Sequence, residues 1–106
     1  HVEDVFPLYG SMTGNDKIAV ELKGHVPKDI KTNTIVYING QQPQWSAQTT
    51  ILDKRGNNLT FRMPPCPLRR SKQTTVDIVI QYNGQDLYQS NYAYISEIDS
   101  IVQNNQ

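Results

Sequence analysis

The chain has 106 residues, with ten basic and ten acidic side chains and a formal net charge of zero. That length suits one domain with a modest core, and the zero balance argues against a domain held on nucleic acid mainly by phosphate contacts. Apolar content of 37% and mean hydropathy of −0.58 are too polar for a membrane span and too apolar for a disordered chain.

His1 to Pro7 is apolar at Val2, Val5 and Phe6 and predicts a short edge strand. Gly10 and Gly14 bracket a turn-rich segment, Ser11-Met12-Thr13. Lys17 to Leu22 alternates: Ile18, Val20 and Leu22 share one face, and Lys17, Ala19 and Glu21 the other. Gly24 and Pro27 close that strand. Ile35-Val36-Tyr37-Ile38 is a β-branched run, with Asn39-Gly40 as a turn signal after it. Trp45 precedes a strand predicted around Gln48 to Leu52, and Arg55-Gly56-Asn57 predicts the next turn. Leu59, Phe61 and Met63 form one face of the following strand, which Pro64-Pro65 ends because proline donates nothing to a ladder.

Next comes the basic stretch Leu68-Arg69-Arg70-Ser71-Lys72. Val76, Ile78, Ile80 and Tyr82 form one face of another strand. Asn83-Gly84 is a strong hairpin signal. Tyr88, Tyr92 and Tyr94 share a face of the last strand, most simply the inner one. About seven short strands with turns between them predict an all-β, immunoglobulin-like sandwich. No segment before Ser96 has a helical period, whereas Ser96 to Gln103 predicts a short C-terminal helix capped by Ser96. The domain is expected over residues 1–95, with 96–106 as an extension or linker.

The order of these features resembles the IPT/TIG domain, the immunoglobulin-like module of plexins and transcription factors. The residues that carry the resemblance are Gly10 to Gly14, the strand ending at Gly24, Trp45, Leu59-Thr60-Phe61-Arg62-Met63-Pro64-Pro65, Thr75-Val76, Asn83-Gly84 and Tyr92-Ala93-Tyr94. Within that family the chain is most similar to the C-terminal Rel-homology domain of Rel and NFAT transcription factors, from about Pro7 to Tyr94. The resemblance implies an E-set sandwich that dimerises or docks beside a DNA-binding domain in the nucleus or cytoplasm. It implies a protein partner or a weak homodimer, DNA contact chiefly through a neighbouring domain, and no cofactor, membrane or small-molecule substrate.

In Rel proteins the dimer surface is the outer face of a sheet. The corresponding residues here are Ala19 and Glu21 on one strand and Asn58, Thr60 and Arg62 on another. These are mostly polar, whereas the Rel surface is substantially apolar. The NFAT arrangement uses the loop corresponding to Cys66–Thr74. Asn15 also departs from the pattern, standing where a second consecutive glycine is usual.

Arg69, Arg70 and Lys72 are the candidates for a partner or DNA-backbone contact, since guanidinium groups suit phosphate geometry. Against this, three charges make a weak footprint, and a solvated loop explains them equally well. Trp45 reads as core rather than interface. Cys66, the single cysteine, permits no internal disulfide, reads as an inert small side chain, and favours a reducing compartment. Asn58-Leu59-Thr60 is an N-glycosylation sequon, read as chance because it lies inside a predicted strand.

Nothing in the residues points to catalysis or a metal. His1 and His25 have no ligand spacing, and nothing brings together a pair among Asp53, Asp77, Asp86 and Glu97. Two further readings stay open. One is an extracellular module of a plexin-like receptor, glycosylated at Asn58. The other is an accessory carbohydrate-binding sandwich, whose mark would be Trp45 and the tyrosines exposed on one face.

Overall fold

Alternation of apolar and polar residues becomes two facing sheets in the computed structural model, which describes residues 1–41, 43–68 and 73–96. In chain order the strands are β1 (Val2–Phe6), β2 (Tyr9–Ser11), β3 (Lys17–Leu22), β4 (Thr34–Gln41), β5 (Gln44–Thr50), β6 (Asp53–Arg55), β7 (Asn58–Arg62), β8 (Thr74–Tyr82) and β9 (Gln85–Ile95). One sheet runs β1-β3-β7-β6 and the other β2-β9-β8-β4-β5. This is the two-sheet arrangement of an immunoglobulin-like sandwich. The strands beyond the seven expected are β2 and β6, three residues each and too short to show an alternation.

The core forms where the two inner faces meet. Ile18 and Val20 of β3 and Leu59 and Phe61 of β7 face Val36 and Ile38 of β4, Ile78 and Ile80 of β8, and Tyr92 and Tyr94 of β9, all essentially inaccessible to water. Tyr88, opposite Ile80, lies at the end of this face and is half-buried. On β1, Val2 and Val5 both face inward although three positions apart, because a register shift between Val2 and Asp4 takes up one residue. That shift turns Asp4 and Phe6 outward.

Three sequence signals resolve differently in space. Asn39-Gly40 does not end β4; it continues the strand, and the chain reverses between Gln41 and Gln44. Gly40 is needed there for close approach, since a β-carbon would lie 2.0 Å from Trp45 Nε1. β5 therefore starts at Gln44 and includes Trp45, earlier than the sequence suggested. A single helical turn, α1 (Ile30–Asn33), precedes β4. It is too short to display a period; buried Ile30 anchors it, and Asn33 bonds Asp29 through its backbone N–H (3.0 Å) and its amide (2.7 Å). The proposed C-terminal helix lies outside the described residues except for Ser96, which is buried.

The Asn83-Gly84 hairpin forms as expected. Tyr82 pairs with Gln85, and both turn residues have positive φ, 51° and 78°. The Gly10–Gly14 turn, the double proline and the Tyr-x-Tyr strand form one unit. Gly14 and Asn15 both adopt left-handed backbone, φ 80° and 72°, a conformation asparagine tolerates better than most residues. Asn15 N–H donates to the Met63 carbonyl at 2.8 Å, and Met63 N–H to the Asp16 carbonyl at 3.0 Å. Pro65 packs so close to Gly14 that a β-carbon would meet its nitrogen at 2.6 Å. The Tyr94 hydroxyl donates to the Pro64 carbonyl at 2.6 Å, so the proline carbonyl still finds a donor.

Candidate interaction surface

The antiparallel register of β1, β3, β7 and β6 decides which side chains share the outer face of the four-stranded sheet. Phe6 lies opposite Ala19, Ala19 opposite Thr60, and Thr60 opposite Asp53. A second row runs Asp4, Glu21, Asn58 and Arg55. Lys17 and Arg62 form a third pair. Ala19, Glu21, Asn58, Thr60 and Arg62 thus come together on one face. Glu21, Asn58 and Arg62 are exposed, and Ala19 and Thr60 half-buried.

The resemblance to Rel proteins implied those five as a face, and the alternation of β3 and β7 turns them away from the core, but neither indicated the flanking strands' contribution. Phe6 is 48% exposed beside Ala19, making the apolar element of an otherwise polar face. Its outward direction follows from the β1 register shift, for which the sequence has no clear signal. Asp53 and Arg55 come from a strand that shows no alternation; Arg55 Nε donates to Asp53 Oδ2 at 2.9 Å, and both side chains are solvated. Such an exposed pair contributes little to stability.

The Arg62 guanidinium donates to the Asn15 carbonyl at 3.0 Å, tying this face to the Gly14-Asn15 turn. Glu21 and Arg62 do not meet within the molecule, since Glu21 sits opposite Asn58 and Arg62 opposite Lys17. Asp4, Glu21 and Asp53 balance Lys17, Arg55 and Arg62. A face of mixed sign suits a protein partner better than a phosphate backbone. A recess of about 280 Å³ bounded by Lys17, Asp53, Arg55, Asn58 and Thr60 indents it.

Arg69, Arg70 and Lys72 lie outside the described residues. Cys66, at the start of that loop, is buried, with its thiol 3.5 Å from the Leu68 carbonyl. Trp45 is half-buried and packs on the core with its ring centroid 6.4 Å from that of Tyr94. Tyr92 and Tyr94 pack edge to face at 5.2 Å and are fully buried. Burial raises both hydroxyl pKa values well above the ordinary tyrosine range. An exposed row of Trp45 with Tyr92 and Tyr94, the mark of the carbohydrate-binding reading, is therefore not formed.

Asp77 accepts a bond from Gln41 and Asp86 from Gln81, on a different sheet from Asp53, and Glu97 is outside the described residues. His1 and His25 border one small recess of about 130 Å³ with Leu22, Pro27, Ile30, Tyr82 and Leu87, a proximity their sequence separation hides. Among the described residues no three His, Cys, Asp or Glu side chains gather as a metal site would require.

No family model and no curated protein matches the chain. Among solved structures it is similar to the solution structure of the TIG domain from human nuclear factor of activated T-cells, cytoplasmic 4. That likeness has a TM-score of 0.72 at 18% identity and covers 92% of this chain and 88% of that one. The fold of this chain is the all-β, immunoglobulin-like sandwich of a TIG domain.

Proposed function

We propose that this chain is a non-catalytic protein-interaction module of an intracellular transcription factor or signalling scaffold of the Rel/NFAT kind. It engages its partner through the outer face of the β1-β3-β7-β6 sheet, while a neighbouring domain reads DNA. The observation that carries this reading is the gathering of Ala19, Glu21, Asn58, Thr60 and Arg62 on one face, with exposed Phe6 beside Ala19 at its β1 edge. Phe6 and Ala19 supply an apolar strip that starts at the β1 edge, and the balanced charges flank it. The polar balance also makes self-association through this face weak, because burying Glu21 and Arg62 costs about what their pairing returns.

The test is site-specific photo-crosslinking in the full-length protein in its own cells. A photo-reactive residue at position 60 is expected to capture a protein partner, and one at Gln89 on the opposite sheet is not. Capture from Gln89 with none from position 60 would refute the assignment. The isolated chain is expected to bind duplex DNA no tighter than about 1 μM at physiological salt. Submicromolar, sequence-selective binding would contradict a purely auxiliary role.

The receptor reading gains one supporting observation. Asn58 is exposed and follows the Gly56-Asn57 turn, so the sequon is accessible at its asparagine. A glycan there would occupy the face just described, and the two readings exclude each other. An intact mass from secretory cells distinguishes them: a hexose-bearing species lost in Asn58→Gln supports the receptor, and an unmodified mass supports the intracellular module.

A further inference from the structure

The two sheets end in four edge strands, β1 and β6 in one and β2 and β5 in the other. An edge strand presents unpaired backbone N–H and C=O groups, and it templates pairing unless it is short, bulged, charged or covered. β1 has its register shift and the charges Glu3 and Asp4. β6 is three residues long, Asp53-Lys54-Arg55, all charged. β2 is three residues long and runs directly into the Met12-Thr13 turn. Among the described residues β5 has none of these guards. It spans seven residues and pairs with β4 at seven successive positions without a shift. Gln44-Trp45-Ser46-Ala47-Gln48-Thr49-Thr50 contains no charge, proline or glycine, and its far edge meets no strand among the described residues.

We propose that the β5 edge is a self-pairing site, at which β5 of a second copy adds antiparallel across a two-fold axis and extends the five-stranded sheet. The occupant follows from the chemistry of the edge. Gln44, Ser46, Gln48 and Thr50 are the exposed side chains of β5, and each can both donate and accept a hydrogen bond. In an antiparallel pair centred on Ala47, Ser46 opposes Gln48 and Gln44 opposes Thr50, so the strand complements itself. The neighbouring strand β4, Thr-Ile-Val-Tyr-Ile-Asn-Gly-Gln, is also without charge. On β4 and β5 a second copy thus meets no ion to desolvate and no like charge to repel, whereas a charged peptide finds no counter-ion on these strands.

One strand pair buries far less than the roughly 1,200 Å² of a stable standard interface. The contact is therefore weak in the free chain and gains when two copies are held together in a larger assembly. It lies on the opposite sheet from the face proposed above, so it stands or falls independently of that reading.

The test combines NMR of backbone amides with sedimentation of the chain between about 10 μM and about 1 mM. The expected result is concentration-dependent shifts confined to residues 44–50 and their β4 neighbours, with a rising sedimentation coefficient. The double variant Ser46→Lys/Gln48→Lys sets the introduced charges opposite one another and should weaken association at least tenfold, while Gln89→Lys, at an exposed position of β9, leaves it unchanged. Both lysine positions are exposed, and should that variant still fail to fold, the wild-type shift map decides alone. A chain monomeric at the highest concentration, shifts centred outside β5, or undiminished association in a folded lysine variant overturns the proposal.

Discussion

Tyr92 and Tyr94 stand two residues apart on the same inner face, and removing one oxygen from each should have opposite effects. Both side chains are fully buried, and their rings touch edge to face at 5.2 Å. Substitution by phenylalanine keeps the ring, so area burial and the ring contact are nearly unchanged in both variants. The Tyr94 hydroxyl donates to the Pro64 carbonyl at 2.6 Å. Its loss leaves a part-buried acceptor without its donor at the point where the chain leaves β7, and Tyr94→Phe is expected to cost about 1–3 kcal/mol.

The Tyr92 hydroxyl is buried with no hydrogen-bond partner among the described residues. Gly10 lies over it so closely that a β-carbon there would sit 2.1 Å from the oxygen. An unpaired buried hydroxyl costs about 1–3 kcal/mol, so Tyr92→Phe should be neutral or stabilising by up to that amount. Urea unfolding of both variants beside the wild type measures the difference, provided the three m-values agree. The two changes should differ by about 1–6 kcal/mol, with Tyr94→Phe the less stable. Equal losses, or a larger loss for Tyr92→Phe, would refute the reasoning, because they would mean that the Tyr92 hydroxyl is bonded in solution.

Phe61→Ala removes a fully buried ring from β7 and should cost about 3–5 kcal/mol in the same assay; a loss near zero would mean the strand is inside out. Gly14→Ala meets both a left-handed backbone and Pro65, whereas Gly84→Ala meets the first penalty alone, having open space around it. The expected losses are about 2–5 kcal/mol for Gly14→Ala and about 1–2 for Gly84→Ala, and similar losses would count against the Gly14–Pro65 contact. The Tyr82 hydroxyl donates to Asp29 Oδ1 at 2.5 Å and holds that carboxyl below its ordinary 3.8. This contribution to stability is present above pH 3.8 and is lost as the pH falls through the folded value. The same bond raises the Tyr82 hydroxyl above 10.0, so its contribution is complete below pH 10.0 and is lost as the pH rises through the folded value. Tyr82→Phe should flatten both limbs of stability against pH, and unchanged limbs would show that the bond does not persist in solution.

Local chemistry determined much of this protein from its sequence alone. A strand's period of two sorts Ile18, Val20, Leu59 and Phe61 from Ala19, Glu21, Thr60 and Arg62 without reference to any other part of the chain. Asn83-Gly84 determined its own hairpin, since both residues accept positive φ. The same alternation put the five residues of the candidate face on the outer side of their sheet, because a side chain excluded from the core must point there; that this side is the interacting one came from the resemblance to Rel proteins.

Pairing partners and close approaches were decided only in three dimensions. The outward turn of Phe6 depends on a register shift against β3, which composition does not encode. Asn39-Gly40 looks like a turn, yet it pairs as strand with Ser46 and Trp45, and the Trp45 indole fills the space a β-carbon on residue 40 would take. β6 and β2 are too short to carry a period and exist through the strands they join. The open edge of β5 is the clearest case. Its neutral sequence is ordinary for a strand in the middle of a sheet, and only the order β2-β9-β8-β4-β5 leaves it last, with no strand on its outer edge among the described residues.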